Sequence, residues 1–468
     1  MGPLSSRLND LWADFSHILC GDQFRLKLTV NRSFHGYSYE GLFLREFFIS
    51  SLLIKTAIAG GVKASAAIIG FALTAVVART LGAEQAGLFL FGFTLIIALS
   101  GFFRLGLDNV ILRWMGSEGV SVDSQQNLNR GLLWIVVGVI PFSCIVVLSS
   151  NFIATSIFNK PDFSIVLFWM ILALPSITLF TLLAMAFQGL HRTVIAILFQ
   201  NLGLSSLFLA CFSVAWWQGV LPLNAQSVAA LYAICALVIC GLAFYIWFRQ
   251  ANVCFKVDNF GDKDLWTASS NLWAASSMSL LVQWSGVLVA GAFVASEDLA
   301  FFSAAQRTAM LTSFVLVVVN MVVAPRYAKL WQQKNIKEIQ RLAKLSTRGM
   351  IALVLPVIAV MMMFPEWIMG LFGEGFEQGA KLLIIMALGQ FINVATGSVG
   401  YLLTMSGHEK DFRRVTFFAG PLTLILSYFL IMEYGVLGAA IATAIGLSLQ
   451  NLLALAMVRK RLGFWPIG

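Results

Sequence analysis

Apolar residues fall in about twelve long runs, at roughly 52–78, 86–112, 131–156, 163–187, 192–216, 226–248, 266–294, 299–325, 349–371, 379–404, 413–432 and 435–458. Each reaches the roughly 20 residues that a membrane-crossing helix needs. Polar residues sit mainly in the short stretches between runs. An open strand cannot leave its backbone groups bare in lipid, so the runs predict helices. The alternating ten-residue segments of a membrane β-barrel do not occur. The fold class expected is therefore an all-α polytopic membrane protein of about 12 transmembrane helices.

Composition agrees with the pattern. Of 468 residues, 59% are hydrophobic and 11% charged, against about a quarter charged in soluble domains. The net charge of +9 would suit nucleic acid, but its distribution argues otherwise. With the N-terminus placed in the cytoplasm, the inner loops carry Arg113, Arg130, Arg192, Arg249 and the run from Arg326 to Arg348. The outer loops carry only Arg79, Lys160 and Lys381, among acids such as Glu84, Glu297 and Glu374. Basic residues on the inner side fix both termini as cytoplasmic and invite contact with anionic lipid. No nucleic-acid partner is expected.

The inner segment 326–348 has Leu330, Ile336, Ile339, Leu342 and Leu345 at helical spacings, which predicts an amphipathic helix on the inner surface. The chain then divides into a cytoplasmic extension 1–50, a first lobe 51–250, a linker 251–265, a second lobe 266–460 and a tail 461–468.

A repeat runs through these lobes. Residues 77–94, VARTLGAEQAGLFLFGFT, align with 290–307, AGAFVASEDLAFFSAAQR, at an offset of 213. Pro141 and Pro356 follow at an offset of 215, and Ile157-Phe158 matches Leu371-Phe372 at 214. Six helices make an even number, so the halves share one orientation. Such parallel repeats are a transporter plan with the substrate path between lobes.

Four basic residues lie within helices: Lys55, Lys63, Arg104 and Arg307. Cations inside a membrane normally face a cavity and mark function. Lys63 and Arg307 lie deepest. Arg104 precedes Asp108 by four residues, which also suits an interfacial ion pair, and Lys55 suits a snorkelling side chain. Helix 7 is the most polar span, with Asn271, Gln283 and several serines; it suits either a lumen lining or small-residue packing. Gln200, Asn201, Gln390 and Asn393 allow the same two readings. Gly60-Gly61, Gly70, Gly92, Pro141 and Pro356 read as packing and kink points.

Catalytic chemistry finds no support. Cys144, Cys211, Cys235 and Cys240 lie in apolar runs, with no CxxC and no Cys/His cluster, so neither disulfides nor a metal are expected. No P-loop is present, which excludes ATP as the direct energy source, and no cofactor is expected. No outer loop exceeds about fifteen residues, which disfavours a glycan polymerase or ligase.

The stretch 78–113, ARTLGAEQAGLFLFGFTLIIALSGFFRLGLDNVILR, resembles the helix 1–2 signature of Wzx-type polysaccharide flippases, in the multidrug/oligosaccharidyl-lipid/polysaccharide flippase superfamily. The matching elements are Ala78-Arg79-x-Leu81-Gly82, Gly87-Leu88, Gly106-Leu107-Asp108 and Arg113. The resemblance covers roughly 51–460 by layout. It implies a V-shaped transporter in the bacterial inner membrane that moves an undecaprenyl-diphosphate-linked oligosaccharide outward, with H⁺ or Na⁺ coupling and polysaccharide polymerase machinery as a partner. Lys63 and Arg307, with Arg104 and Lys55, would then meet the diphosphate, and Asn271 and Gln283 the sugars. A drug/cation antiporter and a lipid II flippase belong to the same superfamily. The extension 1–50 departs from the family's pattern, whose members start close to helix 1.

Overall fold

The computed structural model describes residues 40–219, 222–251 and 263–467. The side chains of Lys55, Lys63 and Asn271 lie outside what is described, although their backbones are helical. Most of the linker expected at 251–265 also lies outside the described residues.

The first helix, α1, runs over Glu40–Phe103, so it begins inside the extension expected at 1–50. Gly82 interrupts it with φ 74° and ψ 168°. Its apolar part, Ser65–Phe103, has 39 residues, about 58 Å at 1.5 Å per residue. That is twice the thickness of a hydrocarbon core. Gly82 therefore joins two passes, and the second arm returns alongside the helix Lys263–Phe293.

Next come α2 (Leu107–Glu118), α3 (Val122–Leu148), α4 (Phe163–Gly189), α5 (Gly203–Trp217) and α6 (Ala225–Ala251). The second half contains α7 (Lys263–Phe293), α8 (Ser296–Met310), α9 (Ser313–Gln332), α10 (Ile336–Met363), α11 (Ala380–Ala395), α12 (Val399–Met405), α13 (Glu409–Tyr434) and α14 (Val436–Leu462). Ten helices or helix pairs are long and apolar enough to cross a membrane, and α5 with the bent segment Val194–Gln200 makes an eleventh, kinked by 54°. Counting the two arms of α1 separately gives twelve passes among the described residues.

Several boundaries differ from expectation; the runs 299–325 and 379–404, for example, break at Leu311-Thr312 and at Thr396–Ser398. The run 86–112 was expected as one helix, but it breaks after Phe103: Leu105 and Gly106 take φ of 52° and 72°. Gly106 lies against the α7 backbone, and a Cβ there would fall 2.6 Å from the Ser269 carbonyl oxygen. The chain can turn and approach this closely only without a side chain. The amphipathic segment 326–348 is also not a separate surface helix. α9 continues to Gln332, Lys334 turns at φ 55°, and the Asn335 side chain caps α10 by accepting from the Glu338 N–H at 3.1 Å. Ile339 and Ala343 are buried with Tyr327, Leu403 and Val458, so other helices rather than lipid absorb the apolar stripe. Leu345 on another face stays exposed.

The halves mirror each other in order. α3 and α10 each contain the matched proline, Pro141 and Pro356. α6 and α14 each have 27 residues. The break at Gly82 has its counterpart at Val294–Ala295, between α7 and α8.

The seam between halves is unusually bare. Along the second arm of α1 and the turn beyond it, Phe91 lies on Gly291, Gly101 against Leu280 and Gly106 against Trp273. The numbers rise on one helix as they fall on the other, so this arm and α7 are antiparallel. Gly87 meets Ser296 so closely that a Cβ would overlap the Ser296 carbonyl oxygen. The turns at 82, 157–162, 294–295 and 370–379 gather at one end of the bundle, here called distal. The turns at 104–106 and 190–192 lie at the other, proximal end.

The Gly106→Ala variant is expected to lose roughly 2–4 kcal/mol, combining left-handed strain with overpacking. Gly70→Ala, where a Cβ meets nothing within 4 Å, should be neutral or slightly stabilising. Thermal unfolding of the two purified variants, side by side, checks both.

Candidate functional site

Arg307 is the intramembrane cation that the structure places at the seam. α8 starts at Ser296, three residues before the sequence estimate, so Arg307 lies eleven residues into it, about 16 Å along the helix axis. Its guanidinium crosses into the first half. The carbon Cζ lies 4.3 Å from the centroid of the Phe93 ring, and Nη2 donates to the Thr94 hydroxyl at 3.3 Å. Phe93 belongs to an aromatic cluster with Phe89, Phe208 and Tyr232, whose rings pack at 5–6 Å. The cation therefore rests on a ring face, which stabilises it by an attraction to the π electrons.

Thr94 and Arg307 are 213 residues apart, the offset of the sequence repeat. Gly87 and Ala300 share that offset, and a Cβ on Gly87 would lie 3.3 Å from the Ala300 nitrogen. Positions equivalent under the repeat thus touch each other. The axis relating the halves runs between the second arm of α1 and α8, and Arg307 stands on it.

No carboxylate pairs with Arg307 among the described residues. One guanidinium nitrogen is bonded, and none of the others is both sealed off and unpartnered. Arg307 therefore keeps donors beyond its bond to Thr94.

The other predicted residues are spread out. Arg104 is ten residues beyond Thr94, about 15 Å along the helix, so it does not join Arg307. It spans the break after Phe103, pairing with Asp108 at 3.1 Å and donating from Nε to the Ser100 carbonyl at 3.3 Å. Gln283 enters through its backbone: its carbonyl accepts from Gln306 Nε2 at 2.9 Å. Several α7 polar groups serve packing, since Ser285 is buried against the Ser427 hydroxyl at 3.3 Å and Gly286 admits Thr443. Gln390 and Asn393 bond to each other at 3.1 Å, and Ser313 bonds to both.

At the distal end, Lys160 reaches from the loop before α4 to α7. Nζ donates to the carbonyls of Gly291 at 2.8 Å and Val294 at 2.7 Å. Burial pulls its pKa below the ordinary lysine value.

Comparison with known proteins places this geometry. The family described as polysaccharide biosynthesis protein matches residues 52–331, which take in the second arm of α1, α7, α8 and most of α9. The chain belongs to that family. A second family, MatE, matches residues 274–429. The probable low-salt glycan biosynthesis flippase of Haloferax volcanii is 25% identical over 228 residues, 48% of each chain. The putative O-antigen transporter of Shigella flexneri is 26% identical over 160 residues, 34% of this chain and 38% of that one. The chain thus spans about half or less of these curated relatives.

Solved structures share the fold at low identity. Lipid II flippase MurJ in an inward closed conformation gives a TM-score of 0.68 at 15% identity, over 87% of both chains. A MOP superfamily transporter from Pyrococcus furiosus gives 0.64 at 16%, over 86% of this chain and 95% of that one. The architecture of this family member is accordingly V-shaped, as the resemblance implies, with the two lobes expected from the repeat.

Sequence reasoning missed Phe93, Thr94, Tyr232 and Gln306, all uncharged and unremarkable in an apolar run. A signal for Thr94 was present, because the repeat alignment pairs it with Arg307. Coupling between Phe93 and Arg307 is testable. In a double-mutant cycle of Phe93→Leu and Arg307→Lys on thermal stability, the interaction energy should be about 0.5–2 kcal/mol.

Proposed function

We propose that this protein is a flippase that moves an undecaprenyl-diphosphate-linked oligosaccharide from the cytoplasmic to the periplasmic leaflet of the bacterial inner membrane, by alternating access of its two lobes. The product would feed assembly of an O-antigen, capsule or exopolysaccharide. In this reading the distal end is periplasmic and both termini are cytoplasmic, in keeping with the basic residues of the proximal loops.

One observation carries the reading: Arg307 lies well inside an apolar span on the axis between lobes, with spare donors and no carboxylate partner among the described residues. Carrying a diphosphate through hydrocarbon unaided is prohibitive. A guanidinium can receive phosphate oxygens in a bidentate manner, and a residue on the axis can stay with its ligand as the lobes rock to either side. Lys63 on α1 is the second cation assigned to this path, with Lys55 and Arg104 nearer the cytoplasm. Asn271 and Gln283 on α7 are assigned to the sugars. Family membership and the relatives named as a glycan flippase and an O-antigen transporter support the substrate class. Coupling to H⁺ or Na⁺, and hand-over to a polysaccharide polymerase, complete the proposal.

The MatE match over residues 274–429 favours a second reading, drug/cation antiport. That chemistry calls for carboxylates within the spans. Among the described residues the carboxylates sit at span ends, among them Glu84, Glu297, Asp298, Glu377 and Glu433 toward the distal side and Glu338, Glu409 and Asp411 toward the proximal side, with Asp411 held by Arg461 at 2.6 and 3.0 Å and Asp108, just beyond a span, paired with Arg104. A cationic seam suits an anionic cargo better.

Arg307→Ala is expected to cut periplasmic delivery of glycan at least tenfold, about the worth of one charge-assisted contact, and Lys63→Ala to add to the loss. Surface polysaccharide quantified in complemented deletion cells at matched protein level is the readout. Undiminished delivery in the double variant overturns the roles, and drug efflux in its place would favour the antiporter.

A further inference from the structure

Lys160 belongs to the first half, yet two of its three acceptors belong to the second. Beside its own Phe158 carbonyl at 3.4 Å, Nζ donates to Gly291 and Val294 at 2.8 and 2.7 Å. Those carbonyls lie at the C-terminal end of α7, where the helix stops at Phe293. The last carbonyls of a helix lack partners within it and carry the negative end of its dipole. Lysine near a helix C-terminus normally satisfies them from its own helix. Here the cap comes from the opposite lobe.

The loop that presents Lys160 is held firmly. The Lys160 N–H donates to the Ala154 carbonyl at 2.8 Å, and its carbonyl accepts from Phe163 at 3.0 Å. Phe158 packs edge-on against Phe91 with centroids 5.0 Å apart, and Phe91 in turn fills the space over Gly291. The cleft around the lysine, about 380 Å³, is lined also by Glu84 and Asp162. Neither forms an ion pair with Lys160, so the amine is committed to the carbonyls.

The repeat supplies an independent second contact. At the offset of 214, Phe158, Asn159 and Lys160 correspond to Phe372, Gly373 and Glu374. The corresponding loop of the second half lies on the first half's α1, below Gly82. A Cβ on Gly373 would fall 3.5 Å from Arg79 Cα and 3.9 Å from the Ala78 carbonyl oxygen, and Phe372 packs on Phe71 at 5.1 Å. Asn159 and Gly373 both take positive φ, 56° and 127°. Arg79, Gly82, Glu374 and Glu377 line the resulting cleft of about 520 Å³. Each half thus reaches over the other's first helix hairpin, a reciprocal clasp at the distal end. The clasps differ in chemistry: a cation on carbonyls in one, a carboxylate loop beside an arginine in the other.

The geometry points to Lys160 as the positioning residue of a distal gate: its trans-cap on α7 holds the lobes closed at that end and sets how often they part there. This deepens the alternating-access reading and depends on it for its meaning in transport. Its bonds exist only while the distal ends touch. Losing them costs the closed state and leaves the distal-open state untouched, so the balance shifts outward.

The test measures lobe positions, with no cargo needed. Spin labels are placed at exposed Ser156 and Glu433 for the distal end, and at exposed Ser117 and Glu409 for the proximal end, in full-length protein in lipid nanodiscs. Pulsed dipolar spectroscopy then compares wild type with Lys160→Met, which keeps the stem without a donor, and with Lys160→Gln, which keeps a neutral donor. The expected result is a distal-open population raised about tenfold in the Met variant, with the proximal pair shortening, and a smaller shift in the Gln variant. An unchanged distal distribution in whichever variant is folded overturns the proposal. So does distal lengthening without proximal shortening, which would mean local fraying. Glycan flipping assayed separately tests the transport reading, so either can fail alone.

Discussion

Backbone against backbone is the contact on which the rest of this protein depends. Gly87 touches the Ser296 carbonyl, Gly106 the Ser269 carbonyl, and Gly291 lies under the Phe91 ring. Inside lipid, apolar burial gives helices little reason to associate, and close packing through small residues takes its place. Glycines on α1, in the turn after it and on α7 let the lobes approach at backbone distance. Such a seam is tight, and the Trp273 indole N–H fastens its proximal end by donating to the Phe102 carbonyl at 2.8 Å. It suits a joint that must hold and then roll.

Polar bonding across the seam follows from that constraint. With no room for long side chains between the helices, it enters at the edges. Arg307 reaches beside the seam to a hydroxyl and a ring face, and Lys160 crosses over its distal end to helix-terminal carbonyls. Neither is matched by a carboxylate among the described residues. Dipoles and π faces hold each cation without an opposite full charge beside it. A buried ion pair would be harder to break, because removing one partner leaves the other uncompensated. Among the described residues the carboxylate pairs, Arg104 with Asp108, Arg341 with Glu338, and Arg414 and Arg461 with Asp411, lie toward the proximal end.

The family signature gains a physical meaning from the same geometry. Gly82, Gly87 and Gly106, which punctuate the stretch 78–113, have three separate tasks. Gly82 takes the positive φ that joins two passes. Gly87 admits the opposite lobe. Gly106 ends the second pass and settles on α7. The motif is a description of where the halves meet, and it would constrain any transporter built on this joint, whatever its cargo.

The sequence by itself determined the helices, their number and the repeat. These follow from the requirement that lipid-exposed backbone be hydrogen-bonded internally, which writes itself into apolar run length. It also marked Arg307, since a deep cation stands out in an apolar run. Tertiary structure alone decided what that cation touches, because Phe93, Thr94 and Tyr232 are ordinary residues of a helix until another helix crosses them. It likewise decided the break after Phe103, where a run of apolar residues reads as continuous and only contact with α7 demands the turn. The same holds for 326–348, an amphipathic pattern that fits a lipid surface or a protein one equally well. Lys160 shows the limit most clearly: in sequence it is one basic residue in an outer loop, and its role arises from carbonyls 131 and 134 residues away, which no local pattern encodes.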